Sequence, residues 1–479
     1  MSATPSLCAA LQRAATGVDS NRAVLSRVCM SHPDTIVAAA SPPGRGGIGV
    51  VRVSGPRAPQ IAATLVGELP VARHATLSRF LDREGNPIDI GIALFFPGPL
   101  SYTGEHVVEL QGHGGPVIVE QLIERCLELG ARRARPGEFT ERAFHNDKID
   151  LAQAEAVADL IDAGSREAAR AAMRSLQGEF SSMVQGLTDA LIDLRTYVEA
   201  AIDFPEEEVD FLGDEELRER LATVRGHFDG IVKAASQGRL LRDGMTVVLA
   251  GRPNSGKSSL LNRLAGYEAA IVTAIPGTTR DVLRERIDID GLPLHVLDTA
   301  GLRDSDDVVE KEGVRRASAE MSRADRVLFV IDTADDPEGR AFHGEKARLP
   351  ADVPVTLIFN KIDLAAGLPI ADTISGPPRL HVSAATGVGL DLLRAHLKDS
   401  VSFQTAGNGS ISARRRHLEA LALARDCVET AARKLEEHRA GELIAEDLRQ
   451  GQKALEAITG VFTADDLLGR IFGSFCIGK

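Results

Sequence analysis

The eight residues Gly251-Arg252-Pro253-Asn254-Ser255-Gly256-Lys257-Ser258 constrain this chain more than any other stretch, because of what flanks them. Before them, Met245-Thr246-Val247-Val248-Leu249-Ala250 reads as a buried strand. After them, residues 259–266 read as a helix that stops at Gly266. A match to G-x-x-x-x-G-K-[ST] in a strand–loop–helix setting predicts an α/β domain in which backbone N–H groups cradle phosphates. The lysine neutralises them, the helix N-terminus favours negative charge, and the hydroxyl of Ser258 binds Mg²⁺. The bland reading, a Gly-rich turn that matches by accident, is an event of roughly a few per cent at average composition. The flanking strand and helix reduce it further.

Residues further on select the base. Asp298-Thr299-Ala300-Gly301 follows the apolar run 294–297, which puts a carboxylate at a strand end facing the metal. Asn360-Lys361-Ile362-Asp363 follows the run 355–359. The Asp363 carboxylate can accept both N–H donors on the edge of guanine, and adenine offers no such pair. Ser383-Ala384-Ala385 closes a third short strand and supplies a backbone N–H for the guanine carbonyl. Each of these alone is weak, and N-K-x-D by itself is often a surface turn. The order GxxxxGKS, GTTRD (277–281), DTAG, NKID, SAA, each at a strand end, is that of GTP-binding domains.

The whole chain has 479 residues, room for two to four domains. Its apolar and charged fractions, 44% and 26%, are those of soluble globular proteins, and no apolar run approaches the ~20 residues a bilayer requires. Cys8, Cys29, Cys126, Cys427 and Cys476 show no C-x-x-C pairing, which argues against a zinc or disulfide framework and for a cytoplasmic location. A net charge of −13 argues against a surface that grips nucleic acid broadly. Arg132-Arg133-Ala134-Arg135 and Arg414-Arg415-Arg416-His417 are the dense basic clusters, and either is also readable as a solvated face. Aromatic content of 4% without Trp leaves little for base stacking, so a nucleic-acid ligand would be held by shape and phosphates or by a partner.

Residues 1–33 carry Arg13, Arg22 and Arg27 with a single acid, Asp19. That fits a transit peptide or, the preferred reading, a gene start placed upstream of Met30. From 34 to 147 short strand-like runs (35–40, 49–53, 88–96, 107–111) precede a helix over 116–129, an α+β domain. Helical periodicity then takes over in 148–243, with Leu176, Phe180, Met183, Leu187, Leu191 and Leu194 on one face. The same habit returns in 403–479, where Leu421, Val428, Leu435, Ile444, Leu448 and Leu455 recur. The expectation is one all-α helical domain interrupted by the α/β P-loop GTPase domain at 244–402. Two independent bundles are the alternative.

The sequence also resembles a family, the bacterial tRNA-modification GTPases called MnmE or TrmE. The stretches that carry the likeness are TIVAAASPPGRGGIGVVRVSG (35–55), SYTGEHVVELQGHGGP (101–116), RPGEFTERAFHNDKIDLAQAEAVADLI (135–161), GTTRDVLRE (277–285) and the tail DDLLGRIFGSFCIGK (465–479). The resemblance implies a homodimer that works with a flavin-bearing partner similar to MnmG (GidA) in a heterotetramer or larger complex. Together they would place an aminomethyl or carboxymethylaminomethyl group at carbon 5 of the wobble uridine of certain tRNAs. It also implies an N-terminal tetrahydrofolate-binding-like domain in which Arg52, Glu109, Lys148 and Lys479 hold a formyl-tetrahydrofolate. The bare residues allow a plainer reading, strand-face charges for Arg52 and Glu109 and a solvated helix start for Lys148.

The residues themselves bear on hydrolysis. Small switch GTPases keep a Gln just after D-x-x-G to orient the attacking water. Leu302 stands there, so a carboxylate from elsewhere must serve: Glu310, with Glu312, Asp306 and Asp307 as competitors. The resemblance assigns the role to Glu310. It also implies a K⁺ ion in the place of an arginine finger, held by Asn254, Thr273, Ile275 and Thr278, while Arg280 and Arg303 remain candidate fingers in cis. Mg²⁺ would take Ser258 and Thr279, with Asp298 acting through water. The full expected GTP contact set is Asn254, Ser255, Gly256, Lys257, Ser258 and Ser259; Thr273, Ala274, Ile275, Pro276, Gly277, Thr278 and Thr279; Asp298, Thr299, Ala300 and Gly301; Asn360, Lys361 and Asp363; Ser383, Ala384 and Ala385. A ribosome-assembly switch GTPase and a GTP-rigidified scaffold are the competing classes.

Overall fold

The computed structural model describes residues 34–203, 215–266, 284–298, 321–322, 324–364, 371–372, 376–401, 403, 411–437, 441–461, 465–473, 475 and 478. Thr273 to Thr279, Thr299, Ala300, Gly301, Glu310, Cys476 and Lys479 lie outside them. The chain forms two compact units, one of residues up to Ala154 together with those from Thr463 on, the other Glu155–Phe462.

In the first unit Ile36–Ala39 (β1), Gly46–Ser54 (β2), Thr76–Leu81 (β3), Pro87–Phe96 (β4), Val107–Gly114 (β5) and Arg132–Arg133 (β6) form one sheet in the order β3-β4-β5-β2-β1-β6. Neighbours are antiparallel except β1 with β6. Period-two alternation sorts its faces. Val51, Val53, Val108 and Leu110 point into a core with Phe80 and Ala93, closed by Ile61 and Leu65 of Ala58–Val66 (α1) and Leu122, Ile123 and Cys126 of Pro116–Glu128 (α2). Arg52 and Glu109 fall between these residues and are directly paired across β2 and β5, so both stand on the opposite face. Glu138–His145 (α3) completes this part of the unit. The helix and strand at 58–66 and 76–81 were not foreseen. The first is only nine residues long, and the second shows its Leu77 to solvent and so lacks a clean alternation.

In the second unit, which takes Leu151–Ile161 (α4) from Glu155 on, Arg166–Leu176 (α5), Glu179–Asp203 (α6) and Glu215–Asp243 (α7) precede a second sheet, and Arg415–Glu436 (α11) and Gly441–Thr459 (α12) follow it. Between them lie Met245–Ala250 (β7), Lys257–Ala265 (α8), Arg284–Ile289 (β8), Leu292–Asp298 (β9), Arg326–Asp332 (β10), Arg340–Glu345 (α9), Val355–Asn360 (β11), Ala371–Asp372 (β12), Arg379–His381 (β13) and Leu390–Ser400 (α10). The strand order is β12-β13-β11-β10-β7-β9-β8, parallel through the middle with an antiparallel pair at each edge. Its central strands β7, β10 and β11 are buried on both faces. Val247, Leu249, Leu328, Val330 and Ile358 pack under α8 and α10, while Val248, Val327, Phe329, Leu357 and Phe359 pack under Phe342 of α9.

The helices from the two sides of this sheet pack on each other: α11 on α12 and α7, and α12 on α6. Phe180, Leu187, Leu191, Phe228, Leu421, Val428, Leu448 and Leu455 are buried there, each worth about 1.5–3 kcal/mol of transfer free energy. Arg225 of α7 reaches Glu429 of α11 at 2.6 Å, a bridge between halves 204 residues apart in sequence. The last helix, Asp465–Gly473 (α13), belongs to the first unit, where Phe472 lies 6.2 Å from the Phe144 ring and 5.6 Å from that of Phe475.

Candidate nucleotide site

Parallel strands deliver their following loops to one edge of the sheet, and in open α/β sheets ligands bind at the carboxyl ends of the strands. The register puts four of the foreseen segments at that edge, and the fifth, 277–281, lies outside the described residues. Leu249 of β7 stands beside Asp298 at the end of β9, Phe329 of β10 beside Ala250, and Asp332 of β10 beside Asn360 of β11. Phe359 stands beside His381, two residues before Ser383.

The loop after β7 is curled by two left-handed residues, Asn254 at φ 65° and Gly256 at φ 92°. That curl turns successive N–H groups into one concavity at the start of α8, where the helix dipole adds partial positive charge. Lys257 arches back over it, its Nζ donating to the carbonyls of Gly251 (2.8 Å) and Arg252 (3.0 Å). Ser255 is buried and its Oγ has no partner among the described residues. Ser258 and Ser259 stand exposed on the first turn of α8. A charged head above a nest of N–H groups with a spare buried hydroxyl is a cradle for phosphate oxygens.

Asn360, fully buried, holds the base side to the phosphate side. Its Nδ2 donates to the Ser255 carbonyl (3.0 Å) and its Oδ1 accepts from the Ala384 N–H (3.0 Å). Its own carbonyl accepts from both the N–H (3.0 Å) and the hydroxyl (2.6 Å) of Thr333, also buried. Three loops are therefore tied through one side chain. Asp363 is exposed, and one of its oxygens accepts from Ser383 Oγ at 2.5 Å, which aims the carboxylate and leaves the other oxygen open. Lys361 is itself left-handed (φ 65°) and its ammonium meets Asp332 Oδ2 at 2.5 Å. Asp332 and Thr333 were not singled out from the sequence. The available signal was a polar Asp-Thr pair closing the apolar run 327–331.

Among the described residues no cluster of three His, Cys, Asp or Glu side chains could hold a metal. A divalent ion at this edge would rest on hydroxyls and nucleotide phosphates, the habit of Mg²⁺, and the exposed hydroxyl of Ser258 fits that donor set.

In the first unit Arg52 and Glu109 pair with each other, guanidinium to carboxylate at 2.8 and 2.9 Å. Tyr102 and Phe139 flank the guanidinium at 5.6 and 5.8 Å, and Arg52 Nη1 lies 3.5 Å from the carbonyl of Gly478 in the tail. Burial pushes the Tyr102 phenol up. Lys148 is exposed beyond α3. The structure thus brings together Arg52, Glu109 and the residue before Lys479.

Both basic clusters are taken up internally. Arg132 binds Asp34 and Glu138, Arg133 binds Glu120, and Arg135 binds Glu141. Arg414 binds Asp159, Arg416 binds Glu155, and Arg415 binds Glu419. Arg133, Arg135 and Arg415 stay more than half exposed in these pairs.

This sheet order, with a phosphate cradle and an N-K-x-D turn joined at one edge, defines a P-loop protein of the guanine-nucleotide class carrying further helical and α+β modules. Family models agree: the "GTP-binding protein TrmE N-terminus" matches residues 35–148 and the "MnmE helical domain" matches 151–476. The tRNA modification GTPase MnmE of Pseudomonas aeruginosa strain PAO1 is 59% identical over 93% of this chain and 99% of its own. That of Chromohalobacter salexigens is 57% identical over 93% and 98%. Among solved structures, Era of Aquifex aeolicus (Y63A, bound to GDP·AlF4⁻) shares 25% identity over 38% of this chain and 66% of its own, at a TM-score of 0.25. The chain belongs to the MnmE family of tRNA modification GTPases, and it is a GTP hydrolase.

Proposed function

We propose that this protein hydrolyses GTP to drive modification of the wobble uridine of certain tRNAs at carbon 5, adding an aminomethyl or carboxymethylaminomethyl group together with a flavin-bearing MnmG-like partner. The observation that carries the GTPase half is the Asn360 junction, which joins phosphate cradle, N-K-I-D turn and Ser383-Ala384 through one buried side chain. Family membership supports the tRNA half. The organisation we propose is a folate-binding-like domain at 34–147, a helical domain at 148–243 and 403–479, and a G domain at 244–402.

In this reading the loop N–H groups and Lys257 bind the phosphates, and Asp363 with the Ala384 and Ala385 backbone selects guanine. The Glu310 carboxylate positions water. Mg²⁺ on Ser258 and Thr279, and K⁺ on Asn254, Thr273, Ile275 and Thr278, supply positive charge against the phosphates when bound. Two copies meet through their G domains to order the segment 273–279. Arg52, Glu109, Lys148 and Lys479 hold a formylated tetrahydrofolate, whose chemistry is one-carbon donation. Cations suit its carboxylates, and a carboxylate can take paired donors from the pterin edge.

Nucleoside analysis of tRNA from a deletion strain tests the first claim: the modified wobble uridine should vanish, and its persistence would defeat the proposal. Turnover in K⁺ against Na⁺ tests the cation. Because arginine fingers give ~10³–10⁵ in rate, replacing K⁺ should cost at least about tenfold, and equal rates would count against it. Glu310→Ala should abolish most turnover without weakening GTP binding.

A further inference from the structure

We infer that Asp332 is a positioning residue for guanine recognition. It acts through Lys361 and does not touch the nucleotide itself. This rests on the reading above in which the N-K-I-D turn receives the base.

Both oxygens of the Asp332 carboxylate are used. Oδ1 accepts from the Ala334 N–H at 3.1 Å, a turn bond that fixes the side-chain rotamer, and Oδ2 takes the Lys361 ammonium at 2.5 Å. The pair is not a loose surface bridge, since the Asp332 side chain is only 15% exposed and that of Lys361 32%. Lys361 would otherwise swing. Its backbone sits in the left-handed region, and its ammonium is the charged tip of a stem with four rotatable bonds. Anchoring the tip at the end of β10 holds the methylene stem beside the phosphate loop, where Lys361 Cε lies 3.9 Å from the place a Cβ on Gly256 would take. There it forms an apolar wall for one face of a planar base. The Asp332 neighbour on the same strand end, Thr333, donates twice to the Asn360 carbonyl. Asp332-Thr333 thus holds the turn at two successive residues, the backbone at Asn360 and the side chain at Lys361.

A wall is blind to the edge of the base, so Asp332 and Asp363 must leave different signatures. In the full-length protein, Asp332→Asn should raise the Kd for a fluorescent GDP analogue by roughly tenfold, the low end for a charge-assisted hydrogen bond. It should raise the Kd for the inosine analogue, which lacks the 2-amino group, by the same factor. KM for GTP should follow, with kcat within about twofold, because nothing in this contact changes along the reaction. Asp332→Glu should recover part of the affinity. In a Lys361→Met background Asp332→Asn should add nothing, the non-additivity expected of a residue acting through its partner. Asp363→Asn serves as the separate arm: an amide can donate to the C2 carbonyl of xanthine, so preference should move from guanine toward xanthine. Should Asp363→Asn show no such shift, the site reading itself fails. If it shifts while Asp332→Asn leaves Kd within twofold, changes kcat at constant KM, or keeps its full effect beside Lys361→Met, the inference about Asp332 is overturned.

Discussion

At the scale of single residues, the phosphate cradle depends on backbone conformations that few side chains tolerate. Gly256 is the clearest case. Its φ of 92° is strained for any residue with a Cβ, and a Cβ there would lie 2.2 Å from Asn360 Nδ2. That nitrogen is the donor to the Ser255 carbonyl, so an added methyl strikes the side chain that joins the two halves of the pocket. Left-handed strain of about 1–2 kcal/mol and a displaced buried amide of about 1–3 kcal/mol act together. We expect Gly256→Ala to weaken GDP binding by at least about a hundredfold while the far-ultraviolet spectrum stays native. Calorimetric titration checks it, and wild-type affinity would show that the loop can bind phosphate without this geometry.

Among the elements, α4 carries the most concentrated charge. Glu155, buried, takes Arg416 at 2.7 and 2.8 Å and His417 at 2.8 Å, and Asp159 one turn on takes Arg242, Arg414 and the Ser412 hydroxyl. Burial by itself would raise the Glu155 carboxyl, but His417 and Arg416 outweigh it and hold it far below the ordinary range. Burial keeps His417 low, in line with its Nδ1 accepting from the Arg414 N–H. In the first unit burial likewise works against Glu138, whose bonds from Arg132, Arg135 and Arg142 bring it from 4.5 to about 2. A depressed carboxylate stabilises above its unfolded pKa and loses that contribution as pH falls toward its folded one. The window therefore opens near pH 4.5 and, for Glu138, closes near 2. Glu155→Ala should cost about 3–5 kcal/mol at neutral pH by leaving buried cations uncompensated. Between pH 5 and 3 it should flatten the fall in melting temperature of the second unit, and an unchanged slope would mean Glu155 is not the titrating group. The same cluster explains where the sequence was mute. Arg414-Arg415-Arg416-His417 looks like a phosphate-binding run until Glu155, some 261 residues away, is folded against it. By contrast β7, α8, β9 and β11 were legible because apolar strand runs and Gly-Lys-Ser punctuation are local signals. Strand β3 was not, since pairing with β4 and no alternation of its own makes it a strand.

For the molecule as a whole, the consequential feature is how the sheet-bearing segment is rooted in the helices of the second unit. One oxygen, Asp159 Oδ1, receives Arg242 from the last turn of α7 at 2.8 Å and Arg414 from the segment that returns to α11 at 2.7 Å. The two roots are therefore side by side. Gly238 confirms the closeness, because a Cβ on it would lie 1.6 Å from the Ile411 carbonyl. Ser412 adds a bond from its N–H to the Ala171 carbonyl. Adjacent roots are the condition under which an insertion leaves its host able to fold. The roots do not fully insulate the two parts, for Leu240, Leu241 and Ala171 share a core cluster with Met245, Leu294 and Leu397. Replacing residues 244–410 by about six Gly and Ser residues, enough to bridge neighbouring chain ends, should leave a chain that keeps its helical spectrum and melts cooperatively. The melt should come at a lower temperature, because that shared apolar surface is exposed, and exchanging Leu240 and Leu241 for Gln should restore solubility without restoring stability. Circular dichroism with sedimentation would read all of this. A molten, non-cooperative product would mean that the helices on either side need the nucleotide-binding sheet to find each other, and that the segment is a structural keystone of the unit.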